Sequence, residues 1–403
     1  MRYEAEREYM MDIKATPTRE KDRLVWIDAA RGFAIFGIFI VNIGAFSAPY
    51  FLYGGEGVAW PSSLDHTVQG IIDIFFQASF YSLFSILFGF GIQLMKEGLF
   101  VKGIAFYPIL IRRLMVLIGF GIIHAFLIWH GDILLSYGII GLFLLLFLDV
   151  KDRTLLGWGV TLLVGSVSML TLFLYNARHF LNEYDDVMIN QALENYQSTT
   201  IQAIWYQNFQ DWMYGNGGIV FFIMIATILP LFLFGMYIAR KRWLHKPKQY
   251  HSIIKRLWFS SLILFILLKL APYLFGNPTW FSMIQDNIGG SFSALFYLTS
   301  ITLLAQTKVG AAILQPLVYV GRMALTNYIT QSVICFVLFY GVGLGLYGAI
   351  SPLIGVLMVI VIYFLQIIYS KWWFIHFRFG PLEWIWRSLT YNQKQYLRRK
   401  NQG

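Results

Sequence analysis

His124 and Asp132 are the pair of side chains in this sequence whose types and spacing most resemble acid–base chemistry. His124 closes the run Gly119-Phe120-Gly121-Ile122-Ile123-His124, and Asp132 follows Trp129-His130-Gly131. So short a connection makes the flanking helices antiparallel neighbours, which brings imidazole and carboxylate within reach of one another. A histidine oriented by a carboxylate is the usual general-base arrangement. The same pair also suits a structural role, with His124 bridging helices and Asp132 capping the next one. His130 is expected at the membrane interface.

A second group opens the hydrophobic part of the chain. In VWIDAARGFAIFGIFIVN, Asp28 and Arg31 are three apart and share a helical face. Asn42 lies eleven residues beyond Arg31, about 16 Å along a helix axis. Arg31 is suited to an anionic group such as a phosphate, with Asp28 holding the guanidinium. Alternatively the two pair locally and reach back to the headgroups. Further along, Arg322, Asn327, Tyr328 and Gln331 form a polar stretch that either lines a cavity or joins helices. Glu383 and Arg387, four apart in a Trp-rich segment after Gly380-Pro381, read as an interfacial helix or as a cover over Asp28 and Arg31. Lys269 lies inside an apolar run and needs a carboxylate partner that the sequence does not name.

The elements that must position these residues follow from composition. Of 403 residues, 58% are hydrophobic and 13% charged, which a water-soluble globule of this length would not tolerate. The expected fold is an all-α polytopic membrane bundle. The net charge of +10 belongs to loops beside membrane spans, so no nucleic-acid partner is expected. One cysteine, Cys335, permits neither an intrachain disulfide nor a thiolate metal cluster. Residues 1–23 lack the apolar core and cleavage site of a secretory signal. No phosphate-binding loop, dinucleotide fingerprint, zinc-ligand cluster or nucleophile elbow is present, and no bound cofactor is expected.

Apolar runs long enough to cross about 30 Å of hydrocarbon fall at 24–48, 68–94, 107–129, 132–148, 154–175, 217–239, 253–275, 288–306, 313–340 and 347–370. Lysine and arginine alternate between the intervening loops, as ten spans with both termini cytoplasmic require. The chain thus divides into an N-terminal segment 1–23, a ten-span bundle 24–370 and an amphipathic tail 371–403. The extracytoplasmic loop 176–216 is long enough for one or two short helices over the outer mouth, either as a cap or as a lid. The expected location is the bacterial cell membrane, with the lipid bilayer as partner.

These residues resemble the YeiB-like family of bacterial integral membrane proteins. The resemblance rests on Asp28-Ala29-Ala30-Arg31-Gly32 with Asn42, Phe84-Ser85-Ile86-Leu87-Phe88-Gly89, Gly121-Ile122-Ile123-His124 through Gly131-Asp132-Ile133-Leu134 and Tyr137, Gly321 to Gln331, and Gly380-Pro381-Leu382-Glu383-Trp384. That family is similar in turn to transmembrane acyltransferases, including the acyltransferase-three group and heparan-alpha-glucosaminide N-acetyltransferase. The similarity implies transfer of an acyl group from cytosolic acyl-CoA to a hydroxyl or amine outside, on a small molecule or glycan. The acyltransferase-three pattern places a basic residue eleven positions before its catalytic histidine. Here Arg31 matches and Asn42 stands at the histidine's position, so the base must come from elsewhere, with His124 ahead of His66. In the enzyme reading Arg31 meets the donor, His124 with Asp132 is the base, and Asn42, Asn327 and Gln331 stabilise an oxyanion. In the alternative reading the same residues line a solute path and Asp28 or His124 carries a coupling proton.

Overall fold

Inside hydrocarbon every backbone polar group must be satisfied within its own segment, so apolar runs of this length fold as helices. The computed structural model describes residues 23–181 and 183–399, and among them is no β-strand, only an isolated bridge between Phe377 and Arg398. The basic residues Arg2, Arg7, Lys14, Arg19 and Lys21, and Lys400 of the tail, lie outside the described residues. The principal helices are α1 (Val25–Ser47), α2 (Ser63–Phe75), α3 (Ser79–Val101), α4 (Phe106–Ile123), α5 (Leu134–Phe143), α6 (Asp152–Asn176), α7 (Asp186–Tyr196), α8 (Ile201–Asn216), α9 (Gly218–Lys241), α10 (His251–Phe265), α11 (Gly290–Leu304), α12 (Lys308–Arg322), α13 (Ala324–Phe339), α14 (Pro352–His376) and α15 (Pro381–Thr390).

Eight helical stretches among the described residues are long and apolar enough to cross a membrane. The remaining two expected runs behave differently. Leu134–Phe147 is apolar but short, and the run 313–340 is broken into α12 and α13, bent by 76°. The break has a cause elsewhere in the chain. Glu383 of α15 accepts the backbone N–H groups of Leu325 (2.7 Å) and Thr326 (3.0 Å) and the Thr326 hydroxyl (2.6 Å), satisfying the start of α13 as a new helix. The last run also shifts: residues 340–350 turn outside the helix, and α14 runs on to His376, so the amphipathic tail begins later than 371.

α1 is the axis of the bundle, the most enclosed of the spans, packed against α3, α12, α13 and α14. Its crossing with α12 is backbone on backbone. A Cβ at Gly32 would stand 2.0 Å from the Leu317 carbonyl, and one at Gly321 would stand 1.8 Å from that of Asp28. Only glycine fits at either position, which explains the glycines of the Asp28–Gly32 and Gly321–Arg322 motifs. Gly380 is constrained likewise, since a Cβ there would lie 2.1 Å from Glu383 Oε2.

Candidate functional site

α4 does not end at Ile123 but widens into a π-helical turn, His124–Ile128, closed by the Trp129 N–H on the His124 carbonyl at 2.8 Å. Such turns insert one residue into a helix and re-aim a side chain. Here the turn aims His124 into the bundle, where it is fully buried. His124 Nδ1 lies 2.7 Å from Asp132 Oδ1, and the other carboxylate oxygen accepts the Leu135 N–H at 2.6 Å. Asp132 therefore orients the histidine and caps α5 at the same time. The second ring nitrogen, Nε2, lies 2.8 Å from Ser332 Oγ on α13. Ser332 is also fully buried, and its hydroxyl has a longer contact, 3.3 Å, to the Tyr328 carbonyl one turn back. A carboxylate only accepts hydrogen bonds, so Nδ1 carries the proton and Nε2 faces the serine as an acceptor.

Beside this chain lies a cavity of about 130 Å³ lined by Asn42, Tyr81, Ala78, Gly131, Ile133 and Tyr328, among others. The Tyr328 ring separates it from the histidine, 5.1 Å from the imidazole centroid, with its hydroxyl donating to the Gly131 carbonyl at 3.4 Å. Two breaks in regular helix border the cavity: residues 129–133 between α4 and α5, and 76–78 between α2 and α3. At the second, Ala78 adopts φ 59°, a left-handed conformation that a residue with a Cβ seldom takes. Non-helical backbone at membrane depth is tolerated where protein or a cavity surrounds it.

Asn327 and Gln331 do not reach this space. Asn327 Nδ2 donates to Ser370 Oγ (3.0 Å) and the Val320 carbonyl (3.3 Å), while Gln331 donates to Gln366 (2.9 Å), tying α13 to α14. Their expected part in oxyanion stabilisation gives way to helix joining, because α14 meets their face of α13. His66 is exposed on α2 and takes no part.

The basic end gathers more cation than its carboxylates neutralise. Asp28, 3% exposed, receives Arg23 through two hydrogen bonds of 2.7 and 2.8 Å and Arg31 at 3.1 Å. Arg322 is within electrostatic reach of Asp28 and stacks on Phe374 at 4.1 Å. Arg113 lies over Trp386 at 3.8 Å and Arg387 over Phe379 at 5.0 Å, both close enough to Arg31 to repel it. Burial and the neighbouring Arg23 push the Arg387 guanidinium down to about 10. Glu383, read either as part of an interfacial helix or as a cover over Asp28 and Arg31, is occupied by the start of α13. Its carboxyl is pushed up by burial, against the opposing effect of those hydrogen bonds.

Lys269 finds its carboxylate in Asp286 at 3.0 Å, with Asp73 at 3.8 Å. Both Lys269 and Asp286 sit on π-helical turns, Ile266–Leu270 and Ile284–Gly289. Tyr273 and Gln285 donate to Asp73 at 2.6 and 3.1 Å.

The loop 176–216 forms α7 and α8, and a buried polar network ties them down. The Tyr196 hydroxyl lies 2.8 Å from Asp211 and 3.0 Å from Asn208 Oδ1, Tyr53 and Gln207 donate to Asp211 at 2.6 Å each, and His130 Nδ1 meets the Tyr196 hydroxyl at 3.0 Å. His130 is therefore buried under α7 and α8. Burial lowers its pKa, opposed by Asp211.

Three participants escaped the sequence reading. Asp73 and Asp286 sat in or beside apolar runs and were findable as the only charges there. Ser332 carried no signal except its place one residue after Gln331, since serines are common in membrane helices.

Comparison with known proteins finds relatives over nearly the whole chain. A family model described as "Protein of unknown function (DUF418)" matches residues 238–393. The chain is 38% identical to "Uncharacterized protein YxaH" of Bacillus subtilis (strain 168), covering 95% of this chain and 98% of that protein. It is 31% identical to "Uncharacterized protein YeiB" of Escherichia coli (strain K12), covering 92% and 96% respectively.

Proposed function

The chain belongs to the family of YeiB and YxaH, and on that premise we propose that it is a transmembrane acyltransferase of the bacterial cell membrane. It takes an acyl group from acyl-CoA at the basic end, which faces the cytoplasm together with both termini, and passes it to a hydroxyl or amine at the end covered by α7 and α8.

The observation that carries this reading is His124, held at one ring nitrogen by Asp132 and offering the other beside a cavity in the bundle. Asp132 fixes the tautomer and stabilises the imidazolium that forms when Nε2 takes a proton. Asn42, on the cavity wall, supplies an amide donor for the developing oxyanion. A space of about 130 Å³ admits a short acyl group and not a nucleotide, so the anionic part of the donor stays among Arg23, Arg31, Arg113, Arg322 and Arg387. Arg31 and Asn42 are about 16 Å apart along α1, and so are Arg113 and His124 along α4, eleven residues in each case. An extended thioester arm spans that interval.

A second reading, passage of a solute coupled to a proton, draws on Lys269 with Asp286 and Asp73, an intramembrane ion cluster of the kind found on transport paths. Proteoliposomes holding radiolabelled acetyl-CoA inside separate the two. Label on an external acceptor, lost when His124 is replaced, supports acyl transfer. No thioester consumption by active, correctly inserted protein would overturn it.

A further inference from the structure

Resting on the acyl-transfer reading, we propose that Ser332 is the nucleophile of a covalent intermediate, so that the acyl group passes through the protein as an ester. A base alone needs one polar partner to orient it, and Asp132 is that partner. His124 has a second: its Nε2, the nitrogen left free to accept, is 2.8 Å from Ser332 Oγ. Serine, histidine and carboxylate are thus joined in one line across three segments, α13, the π-helical turn after α4 and the start of α5. The line is recognised by geometry and roles, as the catalytic triads of unrelated folds are.

The environment favours chemistry on this hydroxyl over simple helix bridging. Ser332 could satisfy itself on the Tyr328 carbonyl one turn back, yet that contact is 3.3 Å and the one to histidine is shorter. The histidine opens a π-helical turn, an irregularity frequent at functional sites. Tyr328, whose ring lies 5.1 Å from His124, is also a wall of the cavity, so this one side chain stands against both. Ser332 and His124 are both fully buried, which keeps bulk water from a serine ester.

In the first half-reaction Ser332 Oγ bonds to the thioester carbonyl carbon as its proton passes to His124 Nε2. The carbon–sulfur bond breaks, and the thiolate leaves with that proton. In the second half the acceptor hydroxyl or amine gives its proton to the same nitrogen and bonds to the carbonyl carbon. The ester bond breaks, and Ser332 Oγ takes the proton back. Nothing is oxidised or reduced.

The test uses the full-length protein in lipid nanodiscs with acetyl-CoA and no acceptor. Expected is a stoichiometric burst of free thiol and, after acid quench and digestion, one acetyl group on the peptide containing Ser332. Ser332→Ala should abolish burst and label and lower transfer by about two orders of magnitude or more. Ser332→Cys should keep a label that hydroxylamine removes, which a merely structural serine would not produce and which also reports a folded variant. Label absent in the wild type, with transfer retained by Ser332→Ala, overturns the covalent step and leaves acyl transfer through His124 standing. Absence of any thioester cleavage or transfer by protein whose thermal unfolding is cooperative overturns both.

Discussion

Lys269 and His124 are both fully buried, both sit on π-helical turns, and both touch a carboxylate, yet their surroundings differ in kind. Around Lys269 the charges close on themselves. The ammonium meets Asp286 and Asp73, and Tyr273 and Gln285 take up Asp73. Around His124 the polar groups form a line, from Asp132 through the ring to the Ser332 hydroxyl, and Tyr328, against the same ring, is a wall of the cavity. A closed cluster pairs its own charges across helices, and removing one partner leaves the other buried and unpaired. A line that ends with a proton acceptor on a hydroxyl is the arrangement that can activate that hydroxyl. Burial and irregular helix alone do not mark chemistry; what the last group in the chain points at does.

The strongest way to break this contrast is to remove each key residue. His124→Gln keeps a side chain that can hydrogen-bond at both ends, so thermal unfolding in detergent should change little while acyl transfer falls by about 10²- to 10⁴-fold. Equal loss of folding would make His124 another structural joint. Lys269→Met should do the reverse, costing about 3 kcal/mol of stability because Asp286 is left unpaired, with transfer per folded molecule unchanged. Lys269→Met combined with Asp286→Leu should restore most of that stability. A fall in turnover per folded molecule would instead move Lys269 into the working machinery.

Smaller effects sharpen the picture at the two ends. Arg31→Gln removes one guanidinium from the basic cluster and should raise the KM for acyl-CoA about tenfold with kcat nearly constant, since it holds the donor and not the reacting atoms. The slightest effect is at the lid. His130 has a lowered pKa when folded, so the unfolded chain binds more protons just below its ordinary value of 6.5. Stability therefore falls as pH drops through 6.5 toward the folded value and is unaffected above it. The unfolding midpoint should decline more steeply between pH 7 and 5 in the wild type than in His130→Gln. Equal slopes would mean that His130 does not carry the acid sensitivity.

Much of the bundle was legible because hydrocarbon imposes its demands on sequence directly. Apolar runs of about 20 residues are visible as such, and alternating basic loops order them. The His124–Asp132 proximity was legible too, since a short turn fixes which helices are neighbours. The break at Met323 was not, because its cause is Glu383, some sixty residues away, capping a helix start inside what reads as one apolar run. Asn327 and Gln331 were indistinguishable from cavity-lining amides until α14 supplied Gln366 and Ser370.

The sequence by itself determined an all-α membrane bundle, the family and the two ends of a candidate path, since each depends on residue type and local spacing. Only the tertiary structure decided that Arg113 and Arg387 join Arg31, that Lys269 belongs to Asp286, and that Ser332 completes the line through His124. Those are contacts between helices distant in the chain. In a membrane every helix is apolar all round, so periodicity does not reveal which face meets which neighbour; that choice is made by close packing, as at Gly32 and Gly321, and by the pairing of the few polar groups.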